Sequence, residues 1–345
     1  MPFGSRRLWA PLLALAVLLV WWWNAPAPID VRGRVVVVAD LHGDLEHALA
    51  VLRMTGVVAA DSTRWTGGSD VLVSTGDLVD RGDDTLALYR LFASLRKESA
   101  QAGGEVHNLV GNHEMMNAMM DWRYVTPGDI ASFGGPEARR RAMSTAGWVG
   151  QEWLAHYRTT AQLPLLPTGH LPPGYRPPSI ALTHGGITPY YAGLGIAATN
   201  EIGASLLHKA LAEEEPDGYL PRNATRAEAL LYSENGPLWY RGYALLDEAD
   251  ACATAAKTQA ALGARHLVMG HTPHFSGFVA RCANASVLLI DTGISRAYGG
   301  KQSALVIETR LHGRGRRAHE LETVTAHYVG EAPVQLARIT RELAL

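Results

Sequence analysis

The sequence is poor in cysteine and has no excess of positive charge, and each shortage excludes a class of protein. It contains only two cysteines, Cys252 and Cys282, so a metal site built from thiolates alone, which needs three or four of them, is excluded. The formal net charge is −2, which leaves no basic surplus for binding the phosphate backbone of a nucleic acid. We therefore expect no nucleic-acid partner. The two cysteines either form a disulfide or pack as small core residues, because nothing in the sequence places them close together.

A long apolar run occupies residues 8–23 and follows Arg6 and Arg7. It ends in three tryptophans, which suit a membrane interface, so residues 1–23 are predicted to be an uncleaved signal anchor. The arginines would then stay in the cytoplasm, and the rest of the chain would be periplasmic and anchored to the inner membrane. A cleaved signal peptide, which would leave a secreted or periplasmic protein, is the alternative, but Pro28 follows the one small-residue cleavage motif. The paired arginines also permit a twin-arginine signal.

Beyond this run, strand and helix patterns alternate. The first part alternates short β-branched runs with helical spacing, which predicts a parallel, layered α/β sheet. Its predicted strands are 34–39, 71–74 and 106–110, and its predicted helices are 45–54 and 84–102. Later predicted elements are strands at 180–183, 266–269 and 287–290, helices at 148–157, 199–215 and 246–263, and a closing antiparallel pair, 303–308 with 320–325. Asp44 and Asp84 are expected to cap the helices that follow them.

Breaks in this alternation set the domain limits. Residues 24–33 contain prolines and are predicted to be a linker, and residues 34–325 are predicted to form one domain. Within it, residues 115–178 contain helical patterns followed by a proline-rich stretch. We expect a mostly helical insertion there, over the carboxyl-terminal edge of the sheet and the active site, where loops carry function. Residues 326–345 are predicted to be a C-terminal tail.

Six short segments hold the polar residues that most strongly suggest chemistry, and four of them directly follow strand patterns. They are 40–44 (DLHGD), 76–82 (GDLVDRG), 111–114 (GNHE), 184–186 (HGG), 236–241 (GPLWYR) and 270–272 (GHT). Divalent or trivalent ions near phosphate prefer oxygen and imidazole ligands that are fixed at strand ends. The segments provide six candidate ligands of this kind, namely Asp40, His42, Asp77, Asn112, His184 and His271.

The same segments provide candidates for the other roles in phosphoester hydrolysis. Two ions roughly 3.5–4 Å apart need a shared carboxylate, and Asp77, central among the segments, is the natural bridge. Ions so placed bind phosphoryl oxygens and lower the pKa of a bridging water, which gives the attacking hydroxide. His113 neighbours a candidate ligand without being needed as one, so it is the candidate general acid, with Asp80 orienting its ring. Arg81 and Arg241 carry the planar guanidinium that binds phosphate through two hydrogen bonds.

The six segments resemble the calcineurin-like metallophosphoesterases, and among them the phosphoprotein phosphatase branch, whose pattern is GD-x-H-G, GD-x-VDRG, GNHE, HGG and GH. The stretch ENGPLWYR at 234–241 and the turn DTGIS at 291–295 are most similar to the Shewanella-like protein phosphatase subgroup. The resemblance covers about residues 34–308. The chain departs from the family pattern at Ala39, where the family has glycine, and it lacks the SAPNYC-type loop of the eukaryotic enzymes.

This resemblance implies a four-layer α/β/β/α sandwich and a division of the ligands between two metal ions. The implied ligand sets are Asp40, His42 and Asp77 for one ion, and Asp77, Asn112, His184 and His271 for the other. It also implies that His113 and Asp80 are the acid pair and that Arg81 binds phosphate, and Asn112 is a candidate substrate contact as well. Manganese is the expected metal, with iron and zinc as alternatives, because all three accept these ligands.

We therefore expect a metal-dependent phosphatase that hydrolyses phosphate monoesters, either on serine, threonine or tyrosine of a protein or on a small molecule. One alternative is a nucleotide hydrolase similar to the bacterial symmetrical dinucleoside tetraphosphatases, which share most motifs but not 236–241 and 291–295. The other is a non-catalytic metal-binding module, which the complete set of ligands and acid disfavours. The arginine run 139–141 lies outside these motifs and is expected on a solvated helix face.

Overall fold

The computed structural model describes residues 28–345, which form twelve β-strands and eleven α-helices. The strands are β1 (Pro28–Val38), β2 (Val71–Ser74), β3 (Glu105–Leu109), β4 (Tyr157–Arg158), β5 (Thr160–Pro164), β6 (Ser179–Thr183), β7 (His266–Met269), β8 (Val279–Arg281), β9 (Val287–Leu289), β10 (Ser303–Arg314), β11 (Arg317–Tyr328) and β12 (Val334–Ala344). The helices are α1 (Leu45–Met54), α2 (Thr85–Ala102), α3 (Asn112–Ala118), α4 (Pro127–Ser132), α5 (Pro136–Ala142), α6 (Trp148–His156), α7 (Pro189–Leu194), α8 (Ile196–Ala212), α9 (Arg226–Leu231), α10 (Gly242–Leu245) and α11 (Glu248–Leu262).

The strands form two sheets. The larger sheet has the order β12-β11-β10-β1-β2-β3-β4, and the smaller has the order β5-β6-β7-β9-β8. Strands β1, β2 and β3 are parallel neighbours, as predicted, and so are β6, β7 and β9. Parallel neighbours end at one edge of a sheet, so each sheet brings several strand ends and the loops that follow them together.

The two faces of β1 pack in different parts of the core. Val35 and Val37 lie between the two sheets, with Val268 of β7. Val36 lies on the opposite face with Leu88 of α2. A strand buried on both faces reads as a continuous apolar run, which is why the sequence of β1 does not alternate with polar residues. The result is the mixed α/β fold with two sheets that the sequence predicts.

The two aspartates expected to cap helices behave differently. Asp44 accepts a hydrogen bond from the backbone N–H of His47, as predicted for the residue that begins α1. Asp84 lies at the corresponding position of α2 but makes no side-chain capping bond there. Its carboxylate instead accepts from the backbone N–H of Leu45, 3.2 Å away, and so joins the starts of the two helices.

Three predicted boundaries differ from the structure because strand pairing extends further than the sequence patterns suggest. The linker predicted at 24–33 is already strand from Pro28, since β1 pairs with β10 from its first residue. The tail predicted at 326–345 contains the end of β11 and all of β12, which pair antiparallel. The insertion predicted at 115–178 is α-helical only as far as α6, and β4 and β5 then form edge strands of the two sheets.

The signal anchor predicted at 1–23 lies outside the described residues. Among residues 28–345, no helix is long and apolar enough to cross a bilayer. Cys252 on α11 and Cys282 after β8 form a disulfide with a Cα–Cα distance of 5.5 Å, which settles the choice that the sequence left open.

Candidate active site

The candidate ligands lie at the ends of strands in both sheets and come together at one place. Asp40 follows β1, Asp77 follows β2 and Asn112 follows β3, while His184 and His271 follow the parallel strands β6 and β7. All five side chains are at least 95% buried. These five residues therefore lie in one cluster, and its other members are His42, Asp80 and His113.

The backbone around this cluster adopts an unusual conformation. Six of the ten non-glycine residues with positive φ among residues 28–345 lie in the cluster or at its edge, namely Asp40, His42, Asp77, Asp80, Arg81 and His271. Such conformations cost free energy in L-residues and persist only where the surrounding structure enforces them. Their concentration here shows that the fold holds these side chains in orientations that local propensity alone does not favour.

Asp77 lies at the centre of the cluster. Its Oδ2 is 3.2 Å from Nε2 of His184, 3.7 Å from Nε2 of His42 and 3.8 Å from Nε2 of His113. Two groups of potential metal ligands share it: Asp77 with His42 and His113, and Asp77 with His184 and His271. Burial favours protonation of Asp77, but the neighbouring His184 and His113 hold its pKa well below the usual value, so it is a carboxylate.

The two histidines next to Asp77 are oriented by the nitrogen that faces away from it. His42 donates from Nδ1 to the carbonyl of Val79 at 2.9 Å, and His184 donates from Nδ1 to the carbonyl of Thr75 at 3.1 Å. In each ring Nε2 therefore faces Asp77, which is the orientation in which this nitrogen can bind a metal ion once it carries no proton. Metal-binding histidines show this arrangement, in which the second nitrogen is fixed by a carbonyl or carboxylate.

The remaining carboxylates make the centre suitable for cations. Burial and the nearby charges of Asp291 and Asp77 raise the pKa of Asp40 well above its usual value. Burial also raises the pKa of Asp291, to about 6. A buried acid with a raised pKa takes up a proton unless a positive charge compensates its carboxylate, and a bound metal ion can supply that charge.

The imidazoles are equally suited to metal ions. Burial lowers the pKa of His42 to about 4, and burial with the neighbouring His184 and Arg241 lowers that of His271. Both rings are therefore neutral near pH 7 and free to donate a lone pair. Nε2 of His271 is buried and has no hydrogen-bond partner among the described residues. This chemistry of oxygen and imidazole donors fits divalent metal ions.

The orientation of Asp40 differs from that of the other candidate ligands. Both of its carboxylate oxygens lie near the backbone N–H of His271, at 3.1 and 3.2 Å. Asn112 directs its Oδ1 to Nε2 of His184, 2.8 Å away. The structure therefore brings every predicted ligand to the cluster, and it groups His113 rather than Asp40 most closely with His42 and Asp77.

His113 and Asp80 form a buried pair beside the cluster. Nδ1 of His113 lies 2.5 Å from Oδ2 of Asp80, and Oδ1 of Asp80 accepts from Nδ2 of Asn117 at 2.9 Å. Burial lowers the pKa of His113, but the charge of Asp77 and the bond to Asp80 outweigh it, and the pKa is raised above 6.5. The ring is therefore more readily protonated than a free histidine, as a general acid requires.

The two predicted phosphate-binding arginines lie at the edge of the cluster. Arg81 stacks on Tyr124 with its Cζ 4.0 Å from the ring centroid, and its Cζ is 5.3 Å from the centroid of Tyr298. Arg241 donates from Nη1 to the carbonyl of His271 at 2.8 Å and to Oγ1 of Thr272 at 2.9 Å. Both guanidiniums are thus held next to the ligand loops and keep further N–H groups for an anion.

Glu114, which the sequence places in the GNHE segment without a role, organises the ligand loops. Its side chain is fully buried. Oε2 accepts from the backbone N–H groups of Asp77 at 2.8 Å and Gly111 at 2.7 Å, and Oε1 accepts from the N–H of Leu78 at 2.8 Å and the hydroxyl of Tyr89 at 3.1 Å. One carboxylate therefore fixes the loops after β2 and β3 against each other.

Replacing Glu114 by glutamine should destabilise the protein. The amide offers one acceptor oxygen and turns an NH₂ group toward backbone donors, so about two donors lose their partner, at a cost of about 2–6 kcal/mol in the free energy of unfolding. Urea denaturation measures this. Glu137→Gln on the exposed surface of α5 is the matched control and should change nothing. Unchanged stability of the Glu114→Gln variant would contradict the organising role.

Two glycines are required by the close approach of backbone to ligand. A Cβ at Gly111 would lie 2.0 Å from Oδ1 of Asp77, and a Cβ at Gly270 would lie 2.2 Å from Oδ1 of Asp40. Both distances are far below van der Waals contact, so any other residue at either position would displace a ligand. These two positions therefore need a residue without a side chain.

Residues 33–275 match the calcineurin-like phosphoesterase family, and the chain belongs to it. It is a phosphoester hydrolase, and the family's fold implies divalent metal ions, for which the buried histidine and aspartate groups are the candidate ligands. An uncharacterized protein of Schizosaccharomyces pombe is 38% identical over 289 residues, which cover 82% of this chain and 80% of that protein. The Shewanella-like protein phosphatase 1 of Plasmodium berghei is 27% identical over 79% of this chain and 70% of its own.

Further similarities agree with this assignment. The Shewanella-like protein phosphatase 2 of Arabidopsis thaliana is 41% identical over 100 residues, which cover 29% of this chain and 25% of that protein. The fold is that of the cold-active protein-tyrosine phosphatase of a psychrophilic Shewanella species, with a TM-score of 0.63 over 88% of this chain and 80% of that one, at 22% identity. The predicted resemblance to the Shewanella-like protein phosphatases is confirmed.

Proposed function

We propose that the protein is a phosphomonoesterase that acts on phosphorylated proteins, with His113 as the general acid. The observation that carries this proposal is the orientation of the His113 ring. Because Nδ1 contacts Asp80 at 2.5 Å, Nε2 is directed to the centre of the cluster, 3.8 Å from Oδ2 of Asp77. A protonated nitrogen so placed can reach the leaving oxygen of a phosphate ester bound at the cluster.

Metal ions would complete this centre. Two bound ions would neutralise charge on the phosphoryl oxygens and lower the pKa of a water molecule, which could then act as the nucleophile. We propose the ligands Asp40, His42 and Asp77 for one ion, and Asp77, Asn112, His184 and His271 for the other, with manganese as the metal. The ring orientations of His42 and His184 support Asp77 as the shared ligand, since each ring presents Nε2 to it.

The chain's own residues would bind the substrate and move one proton. Arg81 and Arg241 would bind the phosphoryl oxygens, and Asn112 would contact the substrate beside its metal. When the bond between phosphorus and the leaving oxygen breaks, its electron pair stays on that oxygen, and His113 transfers its Nε2 proton there. Asp80 holds the ring throughout, so the proton donor does not need to reorient during the reaction.

A protein substrate is favoured over a dinucleotide by two observations. The relatives from Plasmodium and Arabidopsis carry the name of protein phosphatases. The stretch 236–241 places Trp239 edge-on to His271 with ring centroids 5.5 Å apart, so an aromatic wall stands next to the cluster. The symmetrical dinucleoside tetraphosphatases lack this stretch, so its place next to the cluster separates the chain from them.

A comparison of three substrates tests the substrate class. We expect kcat/KM for phosphotyrosine and phosphoserine peptides to exceed that for dinucleoside tetraphosphate by more than about tenfold, which corresponds to roughly 1.4 kcal/mol in transition-state binding. Para-nitrophenyl phosphate serves as the reference for active enzyme. A higher kcat/KM for the dinucleotide than for both peptides would replace the protein-phosphatase proposal with the nucleotide-hydrolase alternative.

A further inference from the structure

Arg139 differs from its neighbours in the arginine run of α5. Arg140 and Arg141 are exposed, as expected for a solvated helix face, whereas the side chain of Arg139 is fully buried. The expectation for the run is therefore wrong at its first residue. Burying a guanidinium is costly unless charged or polar groups surround it.

The surroundings of Arg139 fix its guanidinium in place. Nε donates to Oδ2 of Asp129 on α4 at 2.8 Å. The Cζ atom lies 4.7 Å from the ring centroid of Trp122 and 5.5 Å from that of Phe133. An ion pair on one edge and aromatic rings against the faces leave the guanidinium little freedom to move.

The free side of this guanidinium faces the acid pair. Nη2 of Arg139 lies 3.9 Å from Oδ1 of Asp80, and neither Nη1 nor Nη2 has a hydrogen-bond partner among the described residues. Oδ2 of the same Asp80 carboxylate contacts Nδ1 of His113 at 2.5 Å. Successive contacts therefore lead from Arg139 in the helical insertion through Asp80 to His113 in the catalytic centre.

We propose that Arg139 is a positioning residue, which holds Asp80, and through it His113, in the orientation needed to protonate the leaving group. The inference rests on the proposed function of His113. A fixed positive charge beside Oδ1 keeps the Asp80 carboxylate in the plane that directs Oδ2 at the imidazole. The insertion that was predicted over the active site would in this way also orient the general acid.

Leaving-group dependence distinguishes positioning of an acid from general support of the fold. Phenyl phosphate has a more basic leaving group than para-nitrophenyl phosphate and so depends more on the acid. We expect Arg139→Met to lower kcat for phenyl phosphate by about tenfold or more, with KM within about twofold of the wild-type value. The decrease in kcat for para-nitrophenyl phosphate should be clearly smaller. Arg141→Met, an exposed neighbour on the same helix, should leave both substrates unaffected.

A double-variant comparison shows whether Arg139 acts through His113. In a His113→Asn background the acid is already absent, so adding Arg139→Met should change kcat by less than about twofold. Arg139→Lys keeps the positive charge, but a lysine cannot contact Asp129 and Asp80 at the same time. We expect it to lower kcat less than Arg139→Met does, with the same dependence on the leaving group. If Arg139→Met does not fold, the Arg139→Lys variant decides the question by the same two comparisons.

Equal losses of kcat for both substrates, or the same fold-loss with and without His113, would overturn the positioning role. An Arg139→Met variant as active as wild type on phenyl phosphate would overturn it too. Failure of the proposed function looks different, because His113→Asn alone would then either retain wild-type activity or lose a metal ion. Kinetics of the wild type, both single variants and the double variant therefore distinguish a failure of the Arg139 positioning role from a failure of the His113 acid role.

Discussion

Replacing His113 by asparagine will lower kcat by about 10²–10⁴-fold while the bound metal stays unchanged. Proton donation by a positioned side chain contributes a factor of this size, and asparagine cannot supply the proton. The backbone of residue 113 keeps its bonds, because its N–H donates to Oδ1 of Asp77 at 3.0 Å and its carbonyl accepts from Asn117. Steady-state kinetics together with elemental analysis of the metal measures both quantities.

The matched control is His107→Asn on β3, a partly exposed histidine whose ring contacts Glu105. It should leave kcat within about twofold of wild type, as most surface substitutions do. Loss of one metal ion per chain from His113→Asn would contradict the acid role. It would make His113 a ligand, in line with its place in the group with His42 and Asp77.

Replacing Asp77 by asparagine will remove metal and activity together. The carboxylate is shared between the two groups of potential ligands, so a neutral amide weakens both sites at once. Loss of a group that only supports a ligand costs 10–100-fold in metal affinity, and loss of a shared ligand should cost more than about 100-fold. Asparagine keeps the acceptor oxygen for the N–H of His113, so the fold should persist.

Metal content after dialysis and kcat at saturating metal measure this effect. Asp61→Asn, at an exposed turn, is the control and should keep both at the wild-type level. An Asp77→Asn variant with full metal content would show that the two sites do not depend on a shared carboxylate.

The fold and the ligand cluster could be predicted from the sequence because one rule connects them. Short buried strands such as β2 and β7 read as apolar runs, and polar residues directly after them must meet at one edge of a parallel sheet. Asp291 follows β9 in the same way, and the strand-end rule applied to the DTGIS turn would have found it as a third buried acid at a strand end, after Asp40 and Asp77.

Other parts of the site could not be predicted, because tertiary contacts decide them. Glu114 lies one residue after the acid histidine, and nothing local shows that its carboxylate binds three backbone N–H groups of two loops. Arg139 is followed by two further arginines, and only the packing of α5 on Trp122 and Asp129 determines which of the three is buried. Strand limits were similarly underestimated at β12, where pairing with β11 outweighs a polar, exposed sequence.

The most direct test of this account is metal add-back to protein stripped with EDTA, followed by hydrolysis of para-nitrophenyl phosphate. We predict no turnover in EDTA and recovery that saturates near two equivalents of manganese per chain, since the buried histidines and carboxylates provide two groups of ligands around Asp77. Iron and zinc would be compared in parallel. Full turnover in EDTA, or none with any of these metals, would contradict a metal-dependent phosphatase.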